Sequence, residues 1–144
     1  MKLLLWNVRG LGKPAKGRMM QEVILGGKVD IVRTCETKLT NPSTRMLSFL
    51  GTHKANQWIC KDSIGASVGI MIGFDSSLFI LEDEWIGKYF VSDSLLYLEE
   101  RKTIGFKPSL RFTAPIRDTG DRSFGKKFVF LVSSQAGLSL DLGR

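Results

Sequence analysis

Two residues of this 144-residue sequence stand where chemistry could be done: Asn7, at the end of the apolar run Leu3-Leu4-Leu5-Trp6, and Glu36, just beyond Val29-Asp30-Ile31-Val32-Arg33. Asn7 offers an amide donor and acceptor, and Glu36 a carboxylate that only accepts when ionised. Each of the two runs reads as a short strand, and the segment between them reads as a helix. The crossover rule makes such strands parallel. Parallel strands end on one edge of their sheet, where ligand sites on such sheets gather. Taken alone, an amide and a carboxylate at strand ends serve more often as turn or capping groups. The other reactive side chains are sparse. Cys35 and Cys60 have neither zinc-site nor disulfide spacing and are expected to be reduced and structural, with no disulfide partner. The sole histidine, His53 in Gly-Thr-His-Lys, reads as a solvated turn residue.

The elements that must position Asn7 and Glu36 follow from the apolar pattern. Lys2 to Val8 has little polar face, as expected of a strand covered on both sides. Arg9-Gly10-Leu11-Gly12-Lys13-Pro14 forces a loop, and Met20, Val23 and Ile24 fall at helical spacing within a helix of about 15–25, stopped by Gly26-Gly27. Val29 to Arg33 is the second strand. A second helix is expected to start at Asn41-Pro42, with asparagine as cap, and to run to about Leu50. Segments 57–61, 69–74, 78–81 and 85–91 read as further strands, as does 127–132. From about Ser92 the sequence is polar and proline-punctuated, and little packed structure is expected there.

Composition is that of an ordinary globular chain, 43% hydrophobic and 24% charged. The opening residues are too short for a secretory signal, and no run approaches the roughly 20 apolar residues a membrane helix needs. The chain is therefore expected to be soluble and intracellular, in nucleus or cytoplasm, without a membrane partner; its oligomeric state is open. The net charge of +7 is unevenly placed: residues 1–61 carry eleven Lys/Arg against three acids, whereas residues 62–144 carry ten against eleven. Such an excess suits either a surface facing a phosphate backbone or a generic solvated basic face.

Trp6-Asn7-Val8-Arg9-Gly10-Leu11-Gly12, then Val29-Asp30-Ile31-Val32, Glu36-Thr37-Lys38-Leu39 and Gly69-Ile70-Met71-Ile72-Gly73-Phe74-Asp75 occur in the order and spacing of a known family. The sequence resembles the endonuclease domain of plant LINE-type (non-LTR) retrotransposons, within the endonuclease/exonuclease/phosphatase superfamily, and the likeness extends to about Tyr89. The resemblance implies an α/β fold, a partial α/β/β/α sandwich in which this chain supplies about one sheet with its helices. It further implies that Asn7 positions a scissile phosphate, that Glu36 binds the catalytic metal, that the ion is Mg²⁺, and that DNA is the partner. Magnesium is a hard ion that takes oxygen ligands and keeps several waters, so one carboxylate plus a substrate phosphate can hold it. Arg9, Lys13, Lys16 and Arg18 are the expected nucleic-acid contacts, although basic residues in a loop are ordinarily solvated.

The likeness is incomplete. The family completes its site with an Asp-x-Asn pair and a C-terminal Ser-Asp-His, and neither is present: no histidine follows His53, and Ser92-Asp93-Ser94 ends in serine. Asp93, Asp118 and Asp121 are the available substitutes, in contexts that read as solvated turns. Losing a general base or a charge-stabilising donor costs factors of roughly 10² to 10⁴ in rate. Arg33-Thr34-Cys35 replaces the family's apolar residues and glutamine, and an arginine on a buried strand must reach water or a carboxylate. These features lead to an expectation of a truncated endonuclease-like domain over residues 1–91, an unrecognised tail over 92–144, and a remnant with slight activity at most. The alternatives are a non-catalytic nucleic-acid-binding module and a nuclease completed by another chain. A single sheet would leave an apolar face exposed, so marginal folding is expected.

Overall fold

The computed structural model describes residues 1–52, 54–65, 69–88, 90–106 and 127–131. It begins with the β-α-β unit: β1 (Lys2–Asn7), α1 (Pro14–Gly27) and β2 (Ile31–Cys35). β1 and β2 pair in parallel, with Leu3 opposite Ile31 and Asn7 opposite Cys35. Pro14 opens α1, where its missing N–H is no loss. The helix ends one residue past its two glycines: Lys28 takes the left-handed conformation (φ 50°), and the Lys28 and Val29 amides close on Leu25 and Ile24 carbonyls.

α2 (Thr44–Gly51) follows, then β3 (Gln57–Lys61) and β4 (Ile70–Phe74). The cap of α2 is Ser43, whose hydroxyl accepts from the Met46 amide at 3.2 Å; Asn41, the expected cap, instead adopts φ 49° in the preceding loop. β5 (Phe79–Ile86), β6 (Val91–Tyr97), β7 (Lys102–Phe106) and β8 (Lys127–Leu131) complete the described elements. One sheet has the order β3-β4-β2-β1-β8 and the other the order β5-β6-β7.

Alternation along β1 shows how the layers stack. Leu4 and Trp6 pack with Met20, Ile24 and Leu50 of the helices, while Leu3 and Leu5 pack with Phe79, Val91 and Leu95 of the three-stranded sheet. The five-stranded sheet thus lies between a helical layer and a second sheet, and the protein is mixed α/β with two helices and two sheets among the described residues. The expectation of about one sheet is corrected: β5, β6 and β7 cover the face that a single sheet would have exposed. The segment expected as one strand at 85–91 is divided: Trp85 and Ile86 end β5, Val91 begins β6, and between them the Gly87 amide donates to the Phe90 carbonyl at 2.9 Å. β6 runs across the boundary expected after residue 91, and β8 returns antiparallel against β1.

The reason 91–97 did not read as a strand is its third residue. Val91, Asp93, Leu95 and Tyr97 lie on the inward face of β6, and Asp93 interrupts the apolar alternation. Its partner is Arg33 of β2, 60 residues away: the guanidinium and the carboxylate pair in bidentate fashion, with Nη2 to Oδ2 at 2.5 Å. Arg33 is 6% exposed and Asp93 4%. The arginine does reach a carboxylate, and Asp93 is a buried strand residue rather than a solvated turn. Burial pushes the Arg33 guanidinium below its ordinary value, and the Asp93 carboxylate opposes that shift.

Candidate functional site

The C-terminal ends of β1 and β2 continue into two loops that remain zipped together. Val8 donates to Cys35 at 3.1 Å, Gly10 to Glu36 at 2.6 Å and Leu11 to Thr37 at 2.8 Å, all through backbone groups. Holding the loops this way places Arg9, Glu36 and Lys38 in the left-handed region, at φ 46°, 54° and 54°, with Gly10 at φ 95°. For side-chain-bearing residues that conformation costs on the order of 1–3 kcal/mol each, and such strain concentrates where surrounding structure over-determines the geometry.

Asn7 and Glu36 meet there. The Asn7 amide Nδ2 donates to Glu36 Oε1 at 2.8 Å, and Asn7 Oδ1 accepts from the Arg9 backbone amide at 3.2 Å. The Arg9 contact orients the amide, so Nδ2 faces the carboxylate. Among the described residues Glu36 Oε2 accepts no hydrogen bond, and the second Nδ2 proton of Asn7 has no partner. Both side chains are half-buried.

A third element locks the carboxylate loop. Thr37 is buried and its amide donates to the Gly69 carbonyl at 3.1 Å. A β-carbon on Gly69 would stand 2.2 Å from Thr37 Oγ1, so the glycine is required by close approach. The glycine leading β4 thereby acts on the position of Glu36.

Of the basic residues, Arg9, Lys13 and Arg18 are exposed. Lys16 is not a free cation: its Nζ donates to the carbonyls of Val8 and Arg9 at 3.3 and 2.9 Å and pins the β1–α1 loop. Arg18, two residues further along the helix, faces away from Lys16, because i and i+2 positions do not share a helix face. Lys38 was missed by sequence reasoning. It is exposed two residues beyond Glu36, and its Cδ lies 3.6 Å from where a Gly10 β-carbon would be. The signal was available in Glu36-Thr37-Lys38, a basic residue two positions past a candidate acid.

Cys35 sits between the ladder and Glu36, and burial, aided by the Glu36 carboxylate, pushes its thiol up to about 12. It is therefore a neutral side chain and no nucleophile at physiological pH. Both cysteines are free thiols, on opposite faces of the sheet: Cys60 packs toward the helices, Cys35 toward the second sheet. Among the described residues no three His, Cys, Asp or Glu side chains converge as a metal-binding group, and no helix is long and apolar enough to cross a membrane. The donor set at Glu36 fits a hard cation in kind, one carboxylate oxygen without a hydrogen-bond partner, with the remaining ligands left to water and phosphate. Asp93 is committed to Arg33; His53, Asp118 and Asp121 lie outside the described residues.

Comparison with models of known protein families finds none that matches this chain, and comparison with curated proteins finds no match.

Proposed function

We propose that this chain carries the phosphate-orienting and metal-binding half of an endonuclease-type phosphodiesterase site, of the kind found in LINE-type retrotransposon endonucleases, and acts on DNA as a binding element with slight hydrolytic activity at most. The observation that carries the reading is the 2.8 Å contact between Asn7 and Glu36 at the shared end of two central parallel strands. The order helices, five-stranded sheet, second sheet supports a partial α/β/β/α sandwich of the endonuclease/exonuclease/phosphatase type.

On this reading Glu36 Oε2 is the protein ligand for Mg²⁺, which when bound supplies positive charge against phosphate oxygens. Asn7 uses one amide proton to hold Glu36 and has the other for a phosphate oxygen, a neutral donor that orients without adding charge. Arg9, Lys13 and Lys38 present exposed positive charge beside that edge. Within the site no described group is placed to take a proton from water: Cys35 holds its own, and Asp93 is bound to Arg33. Losing that function alone costs roughly 10² to 10⁴ in rate.

Incubating the protein with supercoiled plasmid and Mg²⁺, beside an EDTA control and Glu36→Ala, tests this. The expected result is the same background level of nicked circles in all three, with DNA binding that weakens steeply as salt rises. Metal-dependent nicking that disappears in Glu36→Ala would overturn the claim of catalytic incompetence.

A further inference from the structure

The row of paired residues that contains Asn7 runs on across the sheet: Asn7 lies opposite Cys35, Cys35 opposite Ile70, and Ile70 opposite Lys61. Because β3 and β2 both pair antiparallel with β4, β3 ends on the same edge as β1 and β2. Directly paired residues share a face, so Lys61 lies on the side turned to the second sheet, as Ile59 two residues earlier shows by packing with Ile72 and Phe79.

Here the rims of the two sheets leave a cleft of about 590 Å³, with Asn41, Lys61, Asp62, Ile64, Ile86 and Lys88 among its lining residues. Lys61 is only 9% exposed, and among the described residues its ammonium makes no hydrogen bond or ion pair. Its stem is covered while the ammonium itself keeps contact with solvent, so the charge is presented at the cleft rather than enclosed. Asp62, the one acid in the lining, is not its partner: Oδ1 accepts from the Asn41 amide at 2.9 Å. That bond, with Ser63 donating to the Leu39 carbonyl at 2.8 Å and Thr40 Oγ1 donating to the Ser63 carbonyl at 3.1 Å, ties the cleft wall to the loop that begins at Glu36.

We propose that this cleft is a phosphate subsite with Lys61 as its fixed charge, seating a backbone phosphate of the nucleic-acid strand whose neighbouring phosphates pass Glu36; it rests on the nucleic-acid reading above. The volume exceeds what a bare oxyanion needs and lies in the range of small-ligand sites, which leaves room for the attached sugar against Ile64 and Ile86. Two strand spacings separate the ends of β2 and β3, about 10 Å. Lys88, exposed at the opposite lip, adds a second positive charge.

The test uses the full chain, with Lys61→Met, Lys61→Arg and Glu36→Ala, and two probes: inorganic phosphate followed by amide NMR shifts, and a short fluorescein-labelled single strand followed by anisotropy across a salt series. Thermal melts confirm that each variant is folded. Phosphate is expected to move the amides of Asn41, Asp62 and Ile86 in the parent and in Lys61→Arg but not in Lys61→Met. The salt slope for the single strand is expected to fall by about 0.7 in Lys61→Met, the loss of one phosphate contact. Shifts that survive in a folded Lys61→Met would overturn the subsite. Loss of the shifts with an unchanged salt slope would overturn the strand as its occupant and assign the cleft to free phosphate. Failure of every variant and the parent to bind the strand, with the Lys61-dependent shifts intact, would overturn the nucleic-acid reading and leave the anion subsite standing.

Discussion

At the scale of single residues, the site is defined as much by what Cys35 does not do as by Asn7 and Glu36. A thiol beside a candidate catalytic carboxylate invites a nucleophilic role, yet burial and the neighbouring negative charge hold it up to about 12, from an ordinary value of 9.0. Cys60 is raised to about 11 by burial and then by Asp62. Alkylation proceeds through the thiolate. Iodoacetamide at pH 8 should therefore modify Cys35 roughly a thousand-fold more slowly in the native protein than in urea, from about three pKa units, and Cys60 about a hundred-fold more slowly. Peptide mass spectrometry over a time course reads both rates, and equal rates in native and unfolded protein would refute the burial. The linkage has a definite sign. The folded state retains the Cys35 proton where the unfolded chain loses it, so this contribution to stability is complete below pH about 9 and is lost as pH rises toward 12. The meeting of Asn7 with Glu36 was legible in the sequence because parallel strands end together. Lys61 was not, since its place in the same row depends on β4 lying between β2 and β3.

At the scale of elements, the β-α-β unit follows from apolar periodicity and glycine placement, and its observed bounds differ from the expected ones by one or two residues at most positions. Gly69 shows what periodicity conceals. Read as sequence it is the leading glycine of a strand; in the fold it is the surface on which Thr37 rests, and Thr37 adjoins Glu36. Gly69→Ala drives a methyl group to 2.2 Å from Thr37 Oγ1, and the β-branched threonine has little freedom to move aside. Overpacking of this kind costs about 1–3 kcal/mol. Urea unfolding should show that loss in the Thr37 background and a smaller one when Thr37→Ala removes the offending oxygen. Additive effects in the double variant would show that the two residues do not press on each other. β5 was misread for a different reason. Glu82, Asp83 and Glu84 look like a break but ride on an exposed edge strand with a bulge between Leu81 and Asp83, where charge and irregularity discourage pairing with another chain.

At the scale of the whole molecule, Arg33 and Asp93 join the two sheets. Each residue alone argues against the fold: an arginine in a buried strand, and an aspartate at an inward position. Only as a pair do they belong in the sheet–sheet layer beside Ile31, Leu95 and Val91. No local pattern reveals such a pair, so β6 and the layering of the second sheet lay beyond reach of sequence reasoning, although the start of β5 at 78–81 did not. Its energetics give a sharp prediction. Removing one partner leaves the other charge buried and uncompensated, at about 3–5 kcal/mol, whereas replacing both with apolar residues of similar volume is often neutral or stabilising. Asp93→Leu and Arg33→Met should each lower the urea midpoint severely, and the double variant should recover most or all of the loss. If the recovery is complete, the pair contributes register and not net stability: it specifies which strand of the second sheet faces β2, and thereby the cleft between Lys61 and Ile86. In that case the double variant should fold as tightly as the parent, yet lose the phosphate-induced shifts at Asn41 and Asp62. Retention of those shifts in a stable double variant would show that apolar packing alone sets the spacing of the two sheets.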